Sequence, residues 1–235
     1  MICVTFDTAD DGNAREEALF AAGDPAVLLW QAQAPSLVVP RSRARKPGFD
    51  ALREDAACAG WPILLRTSGG GAVPQGPGTL NIAMVARMPC SAHIEHGYRL
   101  ICGAIAEALA RFEVPTQTGA VNAAFCDGDW NVTVGGRKLV GTAQRWRPAG
   151  GGRSLALMHA AIVIDHPPIS VWPVLGDVEA HAGGVIPPRR DVHVSLNELL
   201  PEKMRPAAIH GALMRAAEDR LRALDSLRTE EAVAA

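Results

Sequence analysis

One long helix is written into the chain, and most of what surrounds it is short and apolar. Tyr98, Ile101, Cys102, Ile105, Leu109 and Phe112 recur at helical spacing within residues 92–112 and make a single apolar stripe. A striped helix has to cover something. The partners on offer are brief buried runs at residues 26–33, 36–39, 63–66, 80–86 and 155–165, too short for helices and suited to strands. Val132-Thr-Val134, Gly135-Gly136 and Arg137-Lys-Leu-Val140 read as a hairpin, because Gly-Gly accepts the positive φ of a two-residue turn. Many strands with few helices point to an α+β fold, a mixed β-sheet with flanking helices, rather than a doubly wound sheet.

The remaining helices are weaker. Asn13 is placed to cap a first helix over residues 15–22, with Glu16 at capping-box spacing and Gly23-Asp24-Pro25 as its stop. A short helix fits residues 51–59 and a last one residues 207–224, with a frayed tail over 229–235. Between 166 and 206 the chain is punctuated by Pro and Gly and reads as loop. The expected organisation is a catalytic-sized domain over residues 1–165, with 166–235 as a C-terminal extension packed on it.

Composition removes several classes of function. The 235 residues are 48% hydrophobic and 20% charged, as in soluble globular proteins. A net charge of −2 does not suit binding to nucleic acid through bulk positive charge. The longest apolar stretch, residues 155–164, is interrupted by His159 and falls far short of the ~20 residues that a membrane span needs. The first residues are acidic where a secretion signal is basic, so the expectation is a cytoplasmic protein with neither membrane nor nucleic acid as partner. Cys3, Cys58, Cys90, Cys102 and Cys126 are odd in number and form no CxxC pair. Neither a disulfide framework nor a structural metal site is expected, and most of the cysteines should be buried as small hydrophobes.

Two segments carry chemistry. Arg66-Thr67-Ser68-Gly69-Gly70-Gly71-Ala72-Val73 follows a strand; three glycines add nothing to a core and are either an irregular loop or a cradle whose backbone N–H groups approach a ligand. The run is neither a Walker loop nor GxGxxG. The second segment, residues 125–145, brings Cys126, Lys138 and a strand of small residues together. By itself a lysine near a hairpin turn is ordinarily a solvated charge.

Taken in order, these segments resemble the lipoate-protein ligase and octanoyltransferase family, which shares its catalytic domain with biotin-protein ligases. The likeness covers roughly residues 13–165. It rests on Asn13-Ala-Arg-Glu-Glu-Ala-Leu19, Leu29-Trp30, Pro35-Ser-Leu-Val-Val39, Arg66-Thr-Ser-Gly-Gly-Gly-Ala-Val73 and Gly136-Arg-Lys-Leu-Val-Gly-Thr-Ala-Gln144. The resemblance implies that Arg66, Ser68, Gly69, Gly70, Gly71, Ala72 and Val73 line an acyl pocket. Gly141, Thr142, Ala143 and Gln144 would face it, and His159 would sit on the next strand. Lys138 would act on the acyl oxygen, a charge-stabilising role suited to acyl transfer.

Within the family, Phe125-Cys126-Asp127-Gly128-Asp129-Trp130-Asn131 and Gly78-Thr-Leu-Asn81-Ile-Ala-Met84 are most similar to the cysteine-dependent octanoyl-[glycine cleavage H protein]:protein octanoyltransferases. There the cysteine is the nucleophile, twelve residues before the lysine, the same spacing as Cys126 to Lys138. This likeness implies transfer of a lipoyl or octanoyl group onto a lysine of a lipoyl-carrier domain through a Cys126 thioester, with no cofactor. Asn81 joins the expected substrate contacts. Partners would be the glycine cleavage H protein, E2 subunits or acyl carrier protein. The alternative is an ATP- and Mg-dependent lipoate-protein ligase, possibly completed by a separate accessory subunit. Three departures bear on it: Pro74-Gln75 replaces His-Asp after the glycine run, Trp130-Asn131 replaces Asn-Asp before the hairpin, and Ala160 rather than Gly follows His159.

Three expectations remain. Asp127 and Asp129 oppose charge on the thiol, which Lys138 or an arginine must offset. A straight strand over 126–134 would leave Cys126 about 20 Å from Lys138, so either the chain bends at Gly128 or the loop moves. The basic run Arg41-Ser-Arg-Ala-Arg-Lys46 is a candidate dock for an acidic carrier domain, against the plainer reading of a solvated loop.

Overall fold

The structure is a computed structural model that describes residues 2–201 and 206–234, with side chains to Ser226. In chain order its elements are β1 (Cys3–Phe6), α1 (Ala9–Ala22), β2 (Ala26–Ala32), β3 (Ser36–Pro40), α2 (Phe49–Cys58), β4 (Ile63–Arg66), β5 (Val73–Gln75) and β6 (Thr79–Met88). There follow α3 (Ile94–Ala110), β7 (Gln117–Thr118), β8 (Val132–Val134), β9 (Arg137–Gly150), β10 (Arg153–Val163), α4 (Val171–His181), α5 (Leu196–Leu199) and α6 (Pro206–Ala234). A seven-stranded sheet runs β1-β2-β6-β10-β9-β8-β7, and a three-stranded sheet runs β4-β3-β5. Parallel pairs (β1 with β2, β3 with β4) stand among antiparallel ones, so the fold is α+β on a mixed sheet, as the strand-rich pattern indicates.

The apolar stripe of α3 buries Ile101, Cys102, Ile105 and Leu109 against the large sheet and α6. Tyr98 and Phe112, at the ends of that stripe, are only half-buried. β2 and β3, though separated by a tight turn, do not pair with each other. The chain crosses there from the large sheet to the small one, and this seam between sheets becomes the site.

Local expectations shift in three places. The cap of α1 is Thr8, whose side chain accepts from the Asp11 N–H in a capping box; Asn13 lies inside the helix. Gly12 lets that helix lie on Trp30, whose ring a Cβ would strike. Residues 171–181, expected as loop, form α4. Pro173 falls in the first turn, where a missing N–H costs nothing. Val171, Val174, Leu175 and Val178 bury one face against the small-sheet core. The last helix runs on to Ala234 through the segment expected to fray; Ala235 lies outside the described residues.

The cysteines also differ from expectation. Cys102 alone is buried, Cys58 and Cys90 are exposed, and Cys3 and Cys126 are half-buried. Burial pushes the Cys102 thiol up to about 12, which makes it inert. Among the described residues no helix is long and apolar enough to cross a membrane.

Candidate active site

The glycine run joins β4 to β5 and is folded by one arginine. Arg66 is 7% exposed and donates from Nη1 to the Val38 carbonyl (2.7 Å) and from Nη2 to the Gly69 (2.8 Å) and Gly71 (2.7 Å) carbonyls. Burial lowers its pKa, and the charge is kept because these carbonyls replace the lost water. The Ala72 N–H donates to Glu179 Oε1 (3.0 Å) from α4, and Arg43 pairs with Glu179 Oε2 (3.1 Å). Glu179 was missed at the sequence level because α4 was. Arg43 is turned inward, and Lys46 donates to the Ala182 carbonyl (2.6 Å). Arg43 and Lys46 are thereby tied to the chain around α4, and Arg41, Arg45 and Lys46 are exposed.

Cys126 faces this loop. The Gly71 N–H donates to its Sγ at 3.0 Å and Arg66 Nη2 stands 4.0 Å away. These are the groups that stabilise a charged sulfur. Arg66 is the arginine that stands nearest this thiol. Asp127 is spent on structure: its Oδ1 accepts from the N–H groups of Val121 and Gly128 and from Asn131 Nδ2. Cys126 has φ +48, a left-handed conformation that costs a non-glycine residue about 1–2 kcal/mol.

The bend expected at Gly128 is made instead by Ala123 (φ +64) and Cys126 itself. Only residues 132–134 are strand, so the chain folds back over Lys138. Lys138 Nζ donates to the Phe125 (2.7 Å) and Cys126 (2.6 Å) carbonyls. Far from a solvated charge, Lys138 is fully buried, and burial lowers its pKa to about 8.

His193, which nothing in the sequence marked, braces the same turn. It stacks on Phe125 (4.3 Å between centroids), accepts from the Phe125 N–H at Nε2 and donates from Nδ1 to the Arg189 carbonyl (2.8 Å). Burial first, and then the Lys138 charge, lower its pKa to about 4. Because the folded value lies below the unfolded ~6.5, the unfolded state binds the extra proton between them and stability falls as pH drops through that window. A loss of up to about 3 kcal/mol by pH ~4 is expected in urea titrations. A His193→Asn variant should lose this component of the pH dependence.

A narrow cavity, with about 40 Å³ of open space, lies beside the thiol. Its walls include Cys126, Arg66, Val73, Asn81, Gly141, Thr142, Ala143 and His159, all expected at the site from the sequence, together with Trp30, Glu16, Asn13 and Gln75, which were not expected there. Gln75 and Asn81 satisfy each other through reciprocal amide bonds of 3.0 and 2.8 Å. Gly69, Gly70 and Gln144 line instead a second groove on the other side of Cys126, with Tyr98, Asp129 and Trp130. Ala72 is buried and lines neither, and Ser68 meets His159 behind the cavity wall.

The glycines differ in what they permit. A Cβ on Gly71 would lie 2.7 Å from Cys126 Cα, whereas one on Gly69 would meet nothing within 4 Å. Gly71→Ala is expected to displace the thiol and cut turnover by about two orders of magnitude or more, in keeping with the sensitivity of catalysis to ~1 Å misplacement. Gly69→Ala should be nearly neutral in the same assay.

A thiol met by an N–H donor and a guanidinium thus lines a narrow and mostly apolar cavity. The chain matches the Lipoyl protein ligase A/B catalytic domain over residues 12–218 and belongs to that family. It is 33% identical over 206 residues to an octanoyl-[GcvH]:protein N-octanoyltransferase of Kyrpidia tusciae, across 83% of this chain and 70% of that one. An uncharacterised Cupriavidus necator protein is 39% identical over 166 residues, 65% of each chain, just under two thirds of that relative's length. Among solved structures, lipoate-protein ligase A bound with ATP superposes with a TM-score of 0.69 at 19% identity, across 94% of this chain and 83% of that one, a likeness of fold.

Proposed function

We propose that this protein moves an octanoyl or lipoyl group from one carrier protein to a lysine of a lipoyl-carrier domain, through a thioester on Cys126. The observation that carries this reading is the Gly71 N–H at 3.0 Å from Cys126 Sγ, with the sulfur lining a mostly apolar cavity. Sulfur attacks the donor's acyl carbonyl, the donor's amine leaves, and the acceptor amine then displaces sulfur, two easy steps in place of one hard one. Lys138 spends two N–H groups on the carbonyls of Phe125 and Cys126. Its third has an opening at Gly141, where a Cβ would stand 3.2 Å from Nζ. Through that gap the ammonium would stabilise the oxyanion.

The glycine cleavage H protein is the partner that the Kyrpidia relative's name supports; lipoyl domains of E2 subunits are the further acceptors of the proposal. The residues fit a magnesium-nucleotide poorly. Asn131 is 2% exposed and committed to Asp127, whose Oδ1 already takes three N–H donors. Among the described residues no three His, Cys, Asp or Glu side chains cluster as metal ligands.

Intact mass after mixing with octanoylated glycine cleavage H protein tests the reading. Without ATP, one octanoyl group should appear on the wild type and be released by hydroxylamine. A ligase would instead show no acyl-enzyme and a strict need for free acid, ATP and magnesium.

A further inference from the structure

Cys126 lines two hollows, and the chemistry above assigns only one of them. The first is walled by Trp30, Val38, Val73, Ala143, Ala160 and Ala161, and its acid, Glu16, is spent on Trp30 Nε1 and His159 Nδ1. The groove on the other side of the sulfur is wider, with about 140 Å³ of open space against about 40 Å³. Its lining includes exposed Gly69, Gly70, Gly128 and Asp129, so it opens to solvent. Tyr98 and Trp130, both half-buried, stack in its wall with ring centroids 5.3 Å apart and planes 5° from parallel.

Most of the polar side chains here are spent on the fold. Thr142 Oγ1 donates to the Trp130 carbonyl at 2.7 Å. Gln144 donates from Nε2 to the Ile94 carbonyl at 2.9 Å and accepts from Trp146 Nε1 at 2.7 Å. Asp127 is committed to its own turn. Asp129 is not spent. It is exposed, and among the described residues its carboxylate has neither a hydrogen bond nor an ion pair. A free anion and an aromatic stack beside a reactive sulfur match a ligand with a cationic head on an apolar stem. The carboxylate attracts the head, and the methylenes pack on the rings.

Resting on the thioester reading, we propose that this second groove binds the lysine side chain of the carrier protein, with Tyr98 and Trp130 against its methylenes and Asp129 drawing in its ammonium. With the acyl chain in the first cavity, the groove is the side from which an amine reaches the carbonyl on Sγ. Asp129 acts on capture and not on bond making. The ammonium gives its proton to the water that an open groove admits, and the neutral amine attacks. The lysine stem of an acylated donor lies in the same groove, because its acyl carbonyl must also reach Sγ. Donor and acceptor lysines therefore use one groove in turn, which makes unacylated carrier a competitor of acylated carrier.

Asp129 is exposed and unpartnered, so its variants do not threaten the fold. In a Cys58→Ser, Cys90→Ser background, which removes the exposed thiols, Cys126 is loaded with p-nitrophenyl octanoate, an ester with no lysine stem. Aminolysis by unmodified glycine cleavage H protein and release by hydroxylamine, a small amine unprotonated at neutral pH, are followed by mass as single turnovers. Both rates are taken per loaded enzyme, so the comparison does not depend on how fully each protein loads. The readout is the ratio of the two second-order rate constants, carrier over hydroxylamine. It should fall about 2–5-fold in Asp129→Asn, the worth of an exposed ion pair, and about tenfold or more in Asp129→Lys, where attraction becomes repulsion. The loss should lie in the half-saturating carrier concentration and shrink at high salt. Tyr98→Ala should lower the ratio about fourfold, the worth of one buried methylene. H protein with its acceptor lysine replaced by methionine, used as an inhibitor, should bind wild type and Asp129→Lys alike. A ratio unchanged in Asp129→Lys or in Tyr98→Ala would overturn the assignment. So would a methionine carrier weakened by Asp129→Lys as much as the lysine carrier, which would set Asp129 against the carrier's surface. A wild type that accepts no acyl group on Cys126, from the ester or from octanoylated H protein, would instead overturn the thioester reading beneath it.

Discussion

Cys126→Ala is expected to abolish transfer, lowering it by about 10³-fold or more, as removal of a nucleophile from a covalent mechanism does. It should also leave no acyl-enzyme in the mass spectrum. Cys126→Ser should fail as well, because a hydroxyl at neutral pH is a far weaker nucleophile than a thiolate. Cys126→Gly provides the structural control. The residue occupies φ +48, which glycine adopts without the left-handed penalty. The glycine variant should therefore be inactive and yet no less stable than the alanine variant in urea titrations. Full activity in any of the three would remove Cys126 from the mechanism.

Lys138 has the second large effect, and the structure changes its meaning. From the hairpin alone, Lys138→Ala should silence transfer and leave the fold untouched. In the folded protein the side chain is wholly buried and anchors the turn that holds Cys126. Lys138→Met is expected to abolish transfer and also to loosen that turn, since two buried carbonyls lose their donor at about 1–3 kcal/mol each. Loss of a desolvated ammonium offsets much of this, so the net destabilisation should be about 1–3 kcal/mol. pH distinguishes the components. The folded pKa of about 8 lies below the model-compound 10.5. Between these values the unfolded state holds more protons, so wild-type stability should rise with pH there by up to about 3 kcal/mol. Lys138→Met should lack that rise, and an identical slope in both proteins would contradict the buried ammonium.

Much of the local structure was legible from residue pattern alone. The stripe of α3, the Gly135-Gly136 hairpin and the strand at Ile63–Arg66 all follow from periodicity and turn chemistry, which act over a few residues and survive any packing. The motif residues Arg66, Gly71, Cys126 and Lys138 were likewise visible, because the family likeness resides in contiguous runs. α4 was not legible. Pro173 and Gly176 argue against a helix locally, and it forms because Val171, Val174, Leu175 and Val178 gain a core to bury against.

What the chain determined by itself is therefore the inventory: an α+β set of elements, a thiol, a lysine and a glycine loop. Only the tertiary structure decided how they meet. It bent residues 123–131 so that Lys138 reaches the carbonyls beside the thiol. It brought Glu179 and His193 from beyond residue 165 to brace that site, and it aligned Ser68, His159 and Glu16 from three separated segments. Sequence spacing carries no information about such contacts. They depend on which faces the two sheets and α1 bury together, and that is settled by the whole core at once.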